Sequence, residues 1–63
     1  MYNLIKAEIQ RIFYIREETD GYLSALEWLK GIEKESLMNH QEDIQSVCCQ
    51  FLWELYRLEN KQS

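Results

Sequence analysis

Apolar residues recur along the first third of this chain at steps of three and four positions. They are Tyr2, Ile5, Ile9, Ile12 and Phe13. Steps of this size match the 3.6-residue period of an α-helix, whereas a β-strand would show alternation with a period of two. The pattern predicts a first helix over about residues 2–18. Leu4 and Ile15 lie away from this stripe, so the helix also carries apolar residues on a second side.

A second helical pattern covers about residues 22–37. Its apolar face consists of Tyr22, Ala25, Leu26, Leu29 and Ile32, with Leu37 near the edge. Gly31 interrupts the pattern, and a glycine inside a helix costs about 1 kcal/mol relative to alanine. We expect the helix to continue through Gly31, because the following residues keep the helical period and favour helix formation. The alternative is a helix that stops at Gly31.

The pair Asp20-Gly21 predicts a turn between these two helices. Glycine adopts the left-handed backbone that ends many helices, and an aspartate beside it can cap the next helix. Ser24 and Glu27 have the spacing of a capping box, which would delay the start of the second helix by one turn. Without the turn, the first two segments would be one long helix in a hairpin that dimerises into a four-helix bundle. We favour the break, because polar residues interrupt the first stripe before the turn.

The third pattern, over about residues 40–60, predicts a helix with a core-facing stripe. The stripe consists of Ile44, Val47, Cys48, Phe51, Leu55 and Leu58. Asn39 can cap the first amide groups of this helix, and Glu42 follows three residues later, as in a capping box. Glu42 and Asp43 also place negative charge at the positive end of the helix dipole.

Apolar residues on the third helix extend well beyond this stripe. Cys49, Trp53 and Tyr56 lie roughly 120–180° around the helix from the centre of the stripe, and Leu52 lies at its border. Tryptophan and tyrosine are enriched at protein interfaces. We therefore predict a contact surface for a partner or a second subunit. It comprises Cys49, Leu52, Trp53 and Tyr56, followed by Trp28 at the flank of the second helix. The alternative is that these residues pack inside the monomer, because small bundles need wide apolar faces.

The three patterns together predict an all-α fold, a small bundle of two to three helices in a single domain over residues 1–63. With 46% hydrophobic residues, the chain is too apolar to be natively disordered. A chain of 63 residues is nevertheless close to the lower limit for a stable core. Chains of this size commonly depend on disulfides, metals, very regular packing or another subunit. We expect a symmetric homodimer to complete the bundle.

Charge and cysteine content narrow the classes of partner. The formal net charge is −4, and the 7 basic residues are spread along the chain. Nucleic-acid binding depends on clustered positive charge, so it is disfavoured. Cys48 and Cys49 are adjacent and cannot pair without local distortion, and unpaired thiols are typical of a reducing compartment. Because neither a membrane span nor a signal-peptide pattern is found, the sequence predicts a cytoplasmic protein that does not contact a membrane.

No arrangement of reactive side chains predicts catalysis, a cofactor or a metal site. His40 and Asp43 have a spacing that could supply two metal ligands, but a stable site needs three or four. Cys48 and Cys49 lack the Cys-x-x-Cys spacing of redox sites. The acidic residues are interpreted as surface charge, because paired carboxylates need a shared pocket to act as acid and base.

The function that these features favour is binding rather than catalysis. We predict a small acidic cytosolic regulator or adaptor that docks onto another protein through apolar helix surface and alters its activity. One alternative is a homo-oligomer with a purely structural role. Another is a dimeric helical regulator that binds nucleic acid, in which Lys6, Arg11 and Arg16 of two subunits align into a basic strip.

Overall fold

Three α-helices make up most of residues 2–62, which the computed structural model describes, with side chains for residues 4–60. The helices are α1 (Tyr2–Asp20), α2 (Tyr22–Met38) and α3 (Glu42–Gln62), and each packs against both others. No strand occurs within residues 2–62. The predicted all-α class is confirmed, with three separate helices rather than the two of a hairpin.

A single residue, Gly21, ends α1 and begins α2. Its amide N–H donates to the carbonyl oxygen of Glu17 (3.0 Å), and its own carbonyl oxygen accepts the N–H of Ala25 (3.1 Å). Gly21 has a φ of 95° and a ψ of 163°, a combination open almost only to glycine. The chain therefore reverses direction within one residue, and the predicted turn is confirmed.

The predicted caps of α2 are wrong. Asp20 lies inside α1, and the N-cap is Gly21, which has no side chain to donate or accept. Ser24 does not begin the helix either, because α2 already starts at Tyr22. Two helices that meet at one residue leave no room for a separate capping residue. The helix also runs on through Gly31, as predicted.

The connection from α2 to α3 uses a backbone motif that the sequence did not suggest. The N–H of Gln41 donates to the carbonyl oxygen of Ser36 (2.8 Å), and the N–H of His40 donates to that of Leu37 (3.3 Å). His40 has a φ of 59°, in the left-handed region. This pair of bonds around a left-handed residue is the Schellman motif, in which glycine is the usual residue.

Asn39 belongs to the end of α2 and does not cap α3. Its N–H donates to the carbonyl oxygen of Glu35 (3.0 Å), which makes it the C-cap of α2. Because α3 begins at Glu42, the predicted capping box is wrong and the predicted start at residue 40 is two residues early. Glu42 and Asp43 do lie in the first turn of α3, where their charge favours the helix dipole.

The buried core draws on all three helices. Its members are Ile9, Phe13, Ala25, Leu26, Leu29, Val47, Cys48, Phe51 and Leu55. Among the predicted stripe residues with described side chains, all but Leu37 and Leu58 are buried or half-buried. Leu37, predicted near the edge of the α2 stripe, is 58% exposed. The side chain of Tyr2 lies outside the described residues. Ser36 is the one polar residue buried with them among residues 4–60, and its hydroxyl donates to the carbonyl oxygen of Glu33 (2.8 Å).

Leu58 does not belong to the core, contrary to the prediction, because 56% of its surface is exposed. It lies one turn beyond Leu55, the last buried residue of α3 among the side chains described up to residue 60, at the end of the bundle near Tyr22. There it borders an open groove beside Tyr14 and Tyr22 instead of facing another helix. The helical period places Leu58 on the correct face, but the bundle has no neighbouring helix to cover it.

Candidate functional site

Four predicted interface residues of α3 lie on one continuous surface, which we call the outer α3 face: Cys49, Leu52, Trp53 and Tyr56. Trp53 is 66% exposed, Cys49 and Tyr56 are also exposed, and Leu52 is half-buried against the core. Cys49 and Trp53 are one helical turn apart, so their side chains are neighbours. The structure therefore brings these four residues together on α3, with Leu52 at the border of the core and the other three exposed.

Polar side chains surround the exposed tryptophan. Gln50, Glu54 and Arg57 line the same shallow groove, of about 460 Å³, as Cys49 and Trp53. The groove is open to solvent, and its lining combines Cys49 and Trp53 with one acidic and one basic side chain. Apolar and aromatic residues bordered by polar ones are the usual composition of a protein–protein contact surface.

Tyr56 forms the edge of the outer α3 face that is nearer to α2. The ammonium group of Lys30 lies 5.9 Å from the centre of its ring, at the outer limit of a cation–π contact. The side chain of Tyr56 remains accessible, with 41% of its surface exposed. Tyr56 thus lies beside a positive charge contributed by α2.

Trp28 lies apart from the outer α3 face. It is half-buried at the α1 side of α2, and the guanidinium carbon of Arg16 lies 5.3 Å from the centre of its ring. Lys30, only two residues further, reaches Tyr56 on the α3 side of the same helix. The two predicted tryptophans therefore belong to different surfaces.

Trp28 lines a second surface, which the sequence analysis did not identify and which we call the α1–α2 groove. Its lining residues are Leu4, Ile5, Glu8, Ile9, Ile12, Trp28, Ile32 and Ile44. The groove has a volume of about 410 Å³, and Glu8 is its only charged lining residue. The signal for it was Leu4, which lies off the main stripe of α1. The periodicity alone did not indicate that α2 supplies the opposite wall.

Three basic side chains of α1 already have partners in their own chain. They are Lys6 with Glu54 (3.4 Å), Arg11 with Glu8 (2.6 Å) and Arg16 with the ring of Trp28 (5.3 Å). The hydrogen bond and the charge of Arg11 lower the pKa of Glu8 below its usual value. The two exposed ion pairs, Lys6–Glu54 and Arg11–Glu8, contribute little to stability. In each pair the acidic side chain neutralises the charge of the basic one.

The two adjacent cysteines have opposite surroundings. Cys48 is buried in the core, and burial, followed by the nearby charge of Glu33, raises the pKa of its thiol to about 11. Cys49 is exposed on the outer α3 face, and both thiols are free. Their helical positions about 100° apart account for the difference, because only one of them can face the core.

Tyr22 places a hydroxyl group at the end of the bundle near Gly21. The oxygen is buried and has no partner in hydrogen-bonding geometry. Burial raises the pKa of Tyr22, and the negative charge of Glu59 raises it further. Both residues line the open groove that also contains Leu58.

Within the described residues, no group of three or more His, Cys, Asp or Glu side chains is arranged to hold a metal ion. His40 lies in the exposed α2–α3 connection, near Asp43 in a groove of about 440 Å³. No helix among residues 2–62 combines the length and apolar character needed to cross a membrane.

Comparisons of the chain with protein-family models, with curated proteins and with solved structures find no match.

Proposed function

We propose that this protein is a regulator or adaptor that binds another protein through the outer α3 face. The single observation that carries the proposal is the 66% exposure of Trp53 at the centre of that face. Exposed tryptophan is uncommon because burying its large ring removes apolar area from water, so a protein contact at this position would release substantial free energy.

The surroundings of Trp53 support a protein as the ligand. Tyr56 and Leu52 extend the apolar area along α3, and the charged residues Glu54 and Arg57 border it. Side chains on a helix that is anchored by a packed core lose little conformational entropy on binding, which favours affinity. We propose that Trp53 fills an apolar recess on the partner, with Tyr56 and Cys49 packing around it.

Nucleic acid is a less favoured ligand. A basic strip would need Lys6, Arg11 and Arg16 to be available to phosphates, yet each has a partner within the chain. The formal net charge of −4 adds general repulsion toward a polyanion.

The test compares two substitutions of exposed apolar residues in a capture experiment on the full chain. Trp53→Ala removes the most exposed residue of the outer α3 face with a large side chain, at 66%, whereas Leu23→Ala removes a side chain of α2 that is 75% exposed and lies outside that face. We expect wild type and Leu23→Ala to retain the same bound protein, and Trp53→Ala to weaken its affinity at least about tenfold, as at an interface hot spot. A bound protein that is retained equally by all three would overturn the proposal.

The purely structural alternative gives a different result. If the outer α3 face served only self-association, sedimentation would reveal an oligomer that Trp53→Ala dissociates, and no other protein would bind to it. Both observations together would replace the proposed function.

A further inference from the structure

The open groove at the end of the bundle near Tyr22 carries charge of one sign. Its volume is about 370 Å³, and its lining residues are Tyr14, Glu17, Tyr22, Leu55, Leu58 and Glu59. We call it the tyrosine–glutamate groove. Within the described part of the chain, no basic side chain lines it, and neither of its carboxylates belongs to an ion pair. A groove of this size is in the range of small-ligand sites.

Both carboxylates of the groove lie where the helices make negative charge unfavourable. Glu17 is in the last turn of α1 and Glu59 in the last turn of α3, and the carboxyl end of a helix carries a partial negative charge. The last turn of α1 contains no basic residue to offset it. The start of α2, at Tyr22, supplies the opposite partial charge of one helix end only. Arrangements that cost stability in this way are expected at functional sites, and a bound cation would compensate the cost.

The hydroxyl group of Tyr22 is a second sign of an absent ligand. Its oxygen exposes less than 1 Å² and has no hydrogen-bond partner, although buried polar groups without a partner are costly. Burial raises the pKa of this hydroxyl, and the negative charges of Glu59 and Glu17 raise it further, so both carboxylates lie near it. A ligand with several donors that enters between the carboxylates would also supply a partner for the oxygen.

Two tyrosine rings give the groove flat aromatic surface. The rings of Tyr14 and Tyr22 both meet Phe13 edge to face, with centroid distances of 5.5 and 6.1 Å, so contacts with the core position them. Leu58 lies beside them and is 56% exposed. Because exposed side chains change rotamer rapidly, Leu58 can move to admit a ligand to the buried hydroxyl.

An arginine side chain matches these groups better than a lysine. Its planar guanidinium has five N–H donors, bonds a carboxylate at two points and stacks on aromatic rings. Its apolar stem can lie along Leu55 and Leu58, as the stems of long cationic side chains do on apolar surface. The ammonium group of lysine is a compact, strongly hydrated charge with three donors, so it makes fewer of these contacts.

We propose that the tyrosine–glutamate groove binds an arginine side chain of a partner protein, with the guanidinium between Glu17 and Glu59 and its plane against the ring of Tyr14. The site goes beyond the proposed function and does not depend on it, because the groove shares no lining residue with the outer α3 face. The net charge of −4 also attracts a basic segment toward the chain.

The experiment titrates the full, isotope-labelled chain with short peptides and follows the backbone amide signals by NMR. The probe is an acetylated and amidated glycine–arginine–glycine tripeptide, and two further peptides carry lysine or glutamine in place of the arginine. Low ionic strength is used, because salt screens contacts between exposed charges.

Three variants that each remove one negative charge separate the groove from general attraction. Glu17→Gln and Glu59→Gln change its two carboxylates. Glu18→Gln is the matched control, because Glu18 is the neighbour of Glu17, is exposed and does not line the groove. Helix content by circular dichroism checks that each variant is folded, and if Glu17→Gln does not fold, Glu59→Gln decides the comparison.

We expect the arginine peptide to shift the signals of Tyr14 and Tyr22 saturably, the lysine peptide to bind more weakly and the glutamine peptide not to bind. Glu17→Gln and Glu59→Gln should each weaken the arginine peptide by roughly two- to fivefold, as for one accessible ion pair, and Glu18→Gln should leave its affinity unchanged.

Tyr22→Phe tests the hydroxyl group alone. The variant should bind the arginine peptide more weakly, while the thermal midpoint of the free chain stays the same or rises, because a buried hydroxyl without a partner does not stabilise it. A lower midpoint with unchanged peptide binding would show that the fold itself uses the hydroxyl, contrary to the inference.

Three further results would overturn the inference. The first is the absence of saturable shifts at about 20 mM arginine peptide, where even binding weaker than millimolar is detected. The second is an equal loss of affinity in Glu18→Gln and the two groove variants, which would indicate general charge attraction. The third is equal affinity for the arginine and lysine peptides, which would exclude a site built for a guanidinium group.

Discussion

The rings of Phe13 and Phe51 meet edge to face at the centre of the bundle, with their centroids 5.0 Å apart and their planes inclined by 70°. Phe13 belongs to α1 and Phe51 to α3, so this contact joins the two helices that are furthest apart in sequence. Both rings are essentially inaccessible to solvent. Edge-to-face aromatic pairs add roughly 0.5–1.5 kcal/mol to the free energy of burying the rings.

Replacing Phe51 with alanine should lower the free energy of unfolding by roughly 3–5 kcal/mol. The substitution leaves a cavity against Phe13, and a chain of 63 residues has few other contacts to compensate. Chemical denaturation followed by circular dichroism measures the change. A large fraction of the variant should be unfolded without denaturant.

Trp53→Ala is the control for this prediction, because Trp53 lies two residues away on the solvent side of the same helix. At an exposed position outside the core, the free energy of unfolding of the isolated chain should change by no more than about 0.5 kcal/mol. If Trp53→Ala proved as destabilising as Phe51→Ala, Trp53 would have to be part of the core.

The two glycines should respond to alanine in opposite directions. A Cβ atom would meet nothing within 4 Å at Gly21 or at Gly31, so only the backbone distinguishes them. Gly21→Ala should destabilise the protein by about 1–3 kcal/mol, because alanine is strained at a φ of 95°. Gly31→Ala should stabilise it by about 1 kcal/mol, because Gly31 lies inside a helix.

Thermal melts of the two glycine variants test this difference directly. The midpoint should fall for Gly21→Ala and rise for Gly31→Ala. Equal effects of both substitutions would contradict the one-residue connection between α1 and α2.

His40→Gly should stabilise the protein by about 0.5–1 kcal/mol. A residue with a side chain is disfavoured in the left-handed region by roughly 1–2 kcal/mol, and the greater freedom of glycine in the unfolded chain cancels part of that gain. Asn39→Gly is the matched control, because Asn39 has a φ of −95° and gains nothing from glycine there. Urea midpoints should therefore increase for His40→Gly only, and a decrease would show that the histidine side chain stabilises the turn.

The two thiols should react with a thiol reagent at very different rates. With a pKa of about 11, only about one Cys48 thiol in a thousand is ionised at about pH 8, and its burial excludes the reagent. We expect Cys49 to react rapidly and Cys48 to react only on unfolding. Cys49→Ser should abolish the rapid phase, and a rapid phase that persists in this variant would mean that Cys48 is accessible.

Ionisation of Cys48 should also reduce stability at high pH. Because its pKa is raised above its ordinary value of 9.0 in the folded state, the folded protein retains a proton that the unfolded chain loses. The stabilisation is fully present below about pH 9 and is lost as the pH rises through about 11. Unfolding free energies of wild type and Cys48→Ala across this range should converge as the pH rises, whereas parallel curves would exclude the effect.

Periodicity in the sequence was sufficient to place most of the core. Phe13, Leu29 and Phe51 belong to the predicted stripes of their helices, and all three are buried. A helical face is a local property, since it depends only on residues three and four positions apart. For the same reason the exposed position of Trp53 on the outer side of α3 follows from the sequence.

The ends of the helices were harder to predict from the sequence than their buried faces. Asn39 is a favourable N-cap by residue type, yet it completes α2, and His40 occupies a conformation that glycine usually takes. Local preferences of about 1 kcal/mol decide such ends only when packing does not. Here the connection must bring α3 back along α2, and that requirement outweighs the preference of either residue.

The sequence by itself determined the helical class, the three buried stripes and the apolar character of the outer α3 face, because each depends on contacts within one helix. Only the tertiary structure separated Trp28 from Trp53 and placed Trp28 and Leu4 in the lining of the same α1–α2 groove. The reason is that a groove has two walls from different helices. Which residues face each other across it depends on how those helices pack, and no spacing along the chain encodes that arrangement directly.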